Sequence, residues 1–473
     1  MTTTEPAAPP REDSLRTACQ GTPPLTARLE PWMRELLSDP EACDALLETH
    51  GSPVNVHDVS ALARNAEEML AVARELDVPM RLFIARKANK TLGVVDAARA
   101  AGHGIDVGSE NELRQVLDRG VAPDDIVLTS AIKPRRLLDL ALGAGVPVAL
   151  DTLDEAALAQ EVAASTARSG PSPVALRLAP APSELIAPTR FGESAATWSD
   201  WAARLSPSDS GLRIDGVHFH LHGYDAAART AAIAEALGLI DQLRELGHRP
   251  GFLDIGGGVP MSYLDDAAEW DAFWAAMDAP EASRPSWRGD PLRPVYPYHQ
   301  APTRGEWLRT VLTADVAPGI SAAEALQERS IELRAEPGRA MLDGCGMTLA
   351  RVVQRTTTSD GIPVIGLAMN RTQCRSTSAD FLLDPILVRP ASAGAPSDAI
   401  EGFLVGAYCI EEELILRRRL RFGTGVAVGD IIAIPNTGGY LMHILESASH
   451  QIPLAVNVTA DGSGGYARDD IDA

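Results

Sequence analysis

LFIARKANKTLGVVDAARAAGHGIDV, residues 82–107, contains two short apolar runs and a helix between them. Residues 82–86 read as a strand. Val94, Val95, Ala98 and Ala101 recur at helical spacing, and Gly102 stops that helix before Gly104-Ile105-Asp106-Val107 begins the next strand. Two strands joined by a crossover helix form a parallel βα unit. The same beat continues along the chain, with strands at Asp125-Ile126-Val127-Leu128, Val148-Ala149-Leu150, residues 174–178, 217–221 and 252–255, and Ile331-Glu332-Leu333-Arg334-Ala335. Helical patterns separate most of them. Eight apolar strands in this alternation predict an α/β fold, a (β/α)8 barrel, with a doubly wound open sheet as the competing arrangement.

In such barrels the chemistry sits where the strands end and the βα loops converge. The polar residues at those ends are Lys87, Asp106, Arg177 and His220, then Gly256-Gly257-Gly258 after the seventh strand and Glu336-Pro337-Gly338-Arg339 after the eighth. A lysine closing a buried strand is expected to be desolvated, and a neutral amine condenses with an aldehyde. Consecutive glycines let backbone N–H groups approach a phosphate, and Arg339 offers a bidentate cation to the same group. Glu336 could hold a ring nitrogen protonated, and His220 could lie on the ring face. Together these types fit a phosphorylated aldehyde cofactor.

Composition narrows the alternatives. With 473 residues, 45% of them hydrophobic, the chain suffices for two or three domains. A formal charge of −22 and the lack of a basic arm argue against nucleic-acid binding. No apolar stretch reaches the roughly 18 residues of a membrane span, so a soluble, cytoplasmic protein is expected. Cys19, Cys43, Cys345, Cys374 and Cys409 are scattered without CxxC spacing, so neither a disulfide framework nor a metal site is expected. Residues 1–24 and 461–473 read as disordered tails.

Five strings resemble the fold-type III pyridoxal-phosphate-dependent decarboxylases, the family of the diaminopimelate, ornithine and arginine decarboxylases. They are Ala85-Arg86-Lys87-Ala88-Asn89, residues 105–112, His218-Phe219-His220, Asp254-Ile255-Gly256-Gly257-Gly258 and Glu336-Pro337-Gly338-Arg339. The resemblance runs from about residue 50 to about 445. It implies an alanine-racemase-like barrel over 60–338 with an insertion at 259–330, a C-terminal β-rich domain over 339–460, and an N-terminal segment, 25–59, packing on that β domain. It also implies pyridoxal 5'-phosphate as cofactor, Lys87 as the Schiff-base residue, an amino-acid substrate, and a homodimer with shared active sites. Asp106, Arg177, His220, Gly256, Gly257, Gly258, Glu336, Gly338, Arg339 and Tyr440, the last in Thr437-Gly438-Gly439-Tyr440, are the implied cofactor contacts. Cys409, in Gly406-Ala407-Tyr408-Cys409, is the implied proton donor. Lys87, Cys409, His220 and Glu336 form the catalytic set, and Glu112, Glu411 and Tyr298 are candidate substrate contacts.

The implied reaction is decarboxylation of a diamino acid or a conjugated derivative, in amino-acid, polyamine or secondary-metabolite biosynthesis. A racemase or epimerase of the same fold, or a non-catalytic cofactor-binding homologue, are the alternatives. Two departures bear on substrate and phosphate. Where relatives carry a Gly-Ser pair after the sixth-strand histidine, this chain has Leu221-His222-Gly223, and where they carry an acidic residue after the cysteine it has Ile410. The insertion holds Trp270, Trp274, Trp287 and Trp307 and reads either as a substrate-specific lid or as an interface or surface subdomain.

Overall fold

The computed structural model describes residues 12–165, 170–205, 211–376 and 381–473. Residues 62–261 and 301–341 make one compact unit. Its centre is a closed barrel of eight parallel strands: β1 Met80–Ala85, β2 Gly104–Val107, β3 Ile126–Leu128, β4 Val148–Leu150, β5 Ser172–Arg177, β6 Leu212–His218, β7 Phe252–Asp254 and β8 Glu332–Ala335. Closure excludes the open sheet. Leu82, Phe83, Ile84 and Ala85 are all buried, as expected for a strand covered on both faces.

The register levels the polar ends of the strands. Ala85 pairs with Asp106, Arg177 with His218, His218 with Asp254, and Asp254 with Arg334. The sixth strand departs from the expected 217–221, because it starts at Leu212 and ends at His218. Its first half alternates buried Leu212 and Ile214 with the outward ion pair Arg213–Asp215, which broke the apolar run. His220 and Leu221 therefore follow the strand. The second half of the insertion belongs to this unit: helix Arg304–Thr313, a short strand pair, and helix Ala322–Glu328 with a Ser321/Glu324 capping box. Trp307 is buried there and donates from Nε1 to Tyr224 O at 2.8 Å.

The other unit joins the described residues up to 61 with 262–300 and 342–473 around a ten-stranded sheet. The long strand Gly346–Thr357 pairs through its first half with Val54–His57 and Ile431–Pro435, and through its second half with Pro363–Leu367. Met33, Leu37 and Leu47 of the N-terminal helices share one core with Val54, Val56, Met347, Leu349 and Ile431. Residues 12–24, part of an expected tail, carry helix Glu12–Thr17 and strand Gln20–Gly21, while residues 1–11 lie outside the described residues. The far end, 461–473, likewise carries strand Tyr466–Arg468.

The first half of the insertion packs on this sheet. Trp287 meets Phe403 edge-on at 5.1 Å, Arg419 N–H donates to Pro285 O at 2.9 Å, and Arg417 pairs with Asp290. Trp270, Phe273, Trp274 and Tyr298 form an adjoining aromatic cluster. Elsewhere Gly346 and Gly438 touch through their backbones, so a Cβ on Gly346 would lie 2.8 Å from Gly438 Cα. Gly346→Ala is expected to destabilise the fold by about 1–3 kcal/mol, measured as a lower urea midpoint at unchanged slope.

Among the described residues no helix is long and apolar enough to cross a membrane. Four cysteines are buried and Cys409 is exposed.

Candidate active site

Lys87 stands on the single turn Arg86–Ala88 that follows β1. Its side chain is 48% exposed, and its ammonium lies 2.7 Å from Asp106 Oδ2. This corrects the expectation of a desolvated lysine: the turn lifts Lys87 out of the apolar run, and the facing carboxylate of β2 takes its charge. Asp106 is buried and also accepts from the Thr129 hydroxyl. Ala85 N–H donates to Pro337 O at 3.3 Å, which fastens the Glu336–Arg339 turn beside the lysine.

Glu336 is 3% exposed, at the end of β8. Burial, then the charge of Asp106, pushes its carboxyl up to about 8. His218 Nε2 approaches its Oε1 at 3.1 Å, but without hydrogen-bond alignment, so both atoms lack a hydrogen-bond partner. Asp254 completes a buried trio with these two, their ligand atoms within 4.8 Å of one another. Burial and the neighbouring Glu336 raise Asp254 to about 7, and burial lowers His218 to about 4. At neutral pH the imidazole is uncharged, Glu336 is mostly protonated and Asp254 about half so. His218 and Asp254 lie inside two of the family-like strings, but nothing in the sequence pairs them with Glu336.

The glycine turn is more occupied than its sequence suggested. Gly256 N–H donates to Asp254 Oδ1 at 2.8 Å and Gly257 N–H to His220 Nδ1 at 3.1 Å. His220 thereby carries its proton on Nε2, and burial with nearby cations holds it well below the ordinary imidazole range. Glu336 N–H donates to Gly256 O at 3.0 Å, coupling the turn to the buried acid. Arg339 is half-buried in the turn that begins at Gly338.

Arg177 anchors a second network that sequence reading missed. Its Nη1 donates to Asp151 Oδ1 at 2.9 Å and to Thr129 O at 3.3 Å. Glu155 accepts from Asp151 N–H at 2.7 Å and from the ammonium of Lys133 at 2.9 Å. Lys133 follows β3 as Lys87 follows β1, so its place after a strand was the available signal. Glu112 caps its own loop, accepting Gly108 N–H at 2.7 Å, with burial raising its pKa.

The other four candidates stand on the β unit. Cys409 lines a cavity of about 540 Å³ with Trp287, Tyr408, Ile410, Glu411 and Glu413. Glu411 and Ile410 are exposed, whereas Glu413 is buried and accepts Arg371 N–H at 2.7 Å. Tyr440 adopts φ +70, a left-handed backbone that costs a non-glycine residue energy and is common at functional sites. Tyr298 is corrected: it is 1% exposed, its hydroxyl accepts Leu382 N–H at 3.2 Å, and it packs as a core residue.

The barrel residues fit pyridoxal phosphate. Lys87 presents an accessible amine, Glu336 a buried carboxyl with an unpartnered oxygen, and His220 a neutral ring. The turn packs closely on the neighbouring strand ends because it is glycine: a Cβ on Gly256 would meet Phe219 O at 2.7 Å, and one on Gly257 would meet Glu336 O at 3.0 Å.

The comparisons agree on the class. The family model for the pyridoxal-binding domain of pyridoxal-dependent decarboxylases matches residues 62–278. The chain is 33% identical to the uncharacterized protein y4yA of Sinorhizobium fredii, over 86% of this chain and 87% of that one. It is 26% identical to a diaminopimelate decarboxylase of Pseudomonas aeruginosa, over 90% and 92%. In fold it resembles the Helicobacter pylori diaminopimelate decarboxylase complexed with L-lysine, at a TM-score of 0.66 and 17% identity, over 91% and 97%. The Vibrio vulnificus lysine/ornithine decarboxylase complexed with putrescine gives 0.64 and 17%, over 92% and 99%.

The barrel that carries the family-model match is thus a pyridoxal-phosphate-binding unit. The chain belongs to the fold-type III pyridoxal-phosphate-dependent decarboxylase family, as a divergent member, and pyridoxal 5'-phosphate is its cofactor.

Proposed function

We propose that the protein is an amino-acid decarboxylase that attaches its cofactor at Lys87 and acts on a diamino acid or a conjugated derivative. The observation that carries this is Glu336: a buried acid, not a cation, occupies the end of β8, with an oxygen left unpartnered. Bound pyridoxal phosphate supplies an aldehyde for the substrate amine and a sink for the electrons of the breaking C–CO2 bond. Asp106 orients the Lys87 amine and balances its charge. Glu336 would hold a proton at the ring nitrogen, and the uncharged His220 would lie against the ring. Gly338, Arg339 and the glycine turn would hold the phosphate end, with Arg177, fixed by Asp151, and Tyr440 as further candidate cofactor contacts. In a homodimer, Cys409 of a second copy would donate the proton that replaces CO2 on the α-carbon. Glu112 and Glu411 remain candidates for the substrate's far end.

Carbon dioxide release from a panel of L- and D-diamino acids and their amides tests the reading. At least one member is expected to release CO2 with stoichiometric amine formation. Exchange of the α-proton with no CO2 from any member would overturn it in favour of racemisation.

A further inference from the structure

Helix Ala226–Glu245 opens with small residues, Ala226-Ala227-Ala228, and then buries Arg229, which is 1% exposed. Among the described residues no carboxylate lies within ion-pair distance of this guanidinium. Nη1 donates to Ile255 O, Nη2 to Gly258 O at 3.4 Å, and the buried Nε has no partner. Phe219 and Trp307 flank it at 5.9 and 5.6 Å from the ring centroids. The charge of Asp254 acts on it from beyond ion-pair distance; a buried cation with no paired carboxylate is costly, and two carbonyl dipoles offset only part of that cost.

Those carbonyls bracket Gly256-Gly257-Gly258, and a Cβ on Gly258 would lie 2.7 Å from Arg229 Nη2. Arg229 thus stands directly behind the turn. Carbonyl and N–H of one peptide point in opposite directions, so drawing Gly258 O toward Arg229 turns Val259 N–H to the opposite side. With Gly256 and Gly257 N–H already engaged, Gly258 and Val259 supply the turn's N–H groups that have no internal acceptor among the described residues.

We propose that Arg229 is the buried counter-charge of the cofactor phosphate. It fixes the peptide planes of the 256–258 turn and supplies from behind the positive field that His222-Gly223, standing in place of the Gly-Ser pair of relatives, does not. The role is positional and electrostatic. It rests on the cofactor and is independent of which amino acid reacts.

The test is equilibrium binding of two probes to the cofactor-free full-length protein, pyridoxal 5'-phosphate and pyridoxal, followed by absorbance and tryptophan fluorescence. In folded Arg229→Gln the phosphorylated probe should bind roughly ten- to a hundredfold more weakly, with pyridoxal nearly unchanged. Unchanged binding of the phosphorylated probe overturns the proposal. So does an equal loss for both probes, which marks a purely structural role. Should Arg229→Gln not fold, Arg229→Lys decides: its shorter ammonium reaches one carbonyl, so a smaller selective loss, roughly three- to tenfold, is expected. No loss, or one shared by both probes, overturns the proposal there as well.

Discussion

Lys87→Ala is expected to fold, to hold no cofactor covalently, and to release CO2 roughly a thousandfold more slowly or worse. The side chain is half exposed and pairs with Asp106 at the end of the strand, so its loss leaves the core intact. The carboxylate of Asp106 stays buried with the Thr129 hydroxyl, at a cost of about 1–3 kcal/mol. An unusual composition makes the check clean. The chain contains three lysines, Lys87, Lys90 and Lys133, so borohydride reduction followed by peptide mapping has three possible outcomes. Lys133 is fully buried in its pair with Glu155. An adduct on Lys90 or Lys133, or one that survives in Lys87→Ala, would remove Lys87 from its role.

Glu336→Gln should lower CO2 release by roughly a hundredfold or more, because a neutral amide cannot hold the ring nitrogen protonated as a carboxylate does. Stability supplies an independent readout. In the cofactor-free fold burial pushes Glu336 up to about 8, above the ordinary carboxyl range. The folded state therefore keeps this proton while the unfolded chain sheds it, and stability falls as pH rises between about 4 and about 8. Glutamine has no proton to lose. The melting temperature of Glu336→Gln should accordingly gain on that of the wild type as the buffer is raised from about pH 5 to about pH 8. A gap that stays constant with pH would show that Glu336 is ionised in the free protein.

Strand identity was legible because most barrel strands carry a short apolar run bounded by glycine or a charge. The sixth was misplaced where Arg213 and Asp215 gave it an outward polar face. The rim residues Lys87, Asp106, Arg177 and Glu336 were legible from position alone. What could not be read was pairing across strands. The approach of His218 to Glu336, the bond from Asp254 to Gly256, and the chain from Lys133 through Glu155 and Asp151 to Arg177 depend on register, which a one-dimensional pattern does not carry. Arg229 left one trace, a charge set among Ala226-Ala227-Ala228 and Thr230-Ala231-Ala232-Ile233, in the apolar stretch that follows Asp225.

The segment 262–300 carries a practical consequence for anyone who would re-engineer this protein. Trp287 on Phe403, Asp290 on Arg417 and Pro285 on Arg419 make it a facing layer of the sheet. Excising it would strip the sheet of an aromatic cover and leave Arg417 without that carboxylate. A chimera with a shorter relative would have to exchange strand Leu414–Phe422 together with the segment. That strand follows directly on the Cys409 turn, so transplanting the segment carries the neighbourhood of the thiol with it: the two form one heritable cassette.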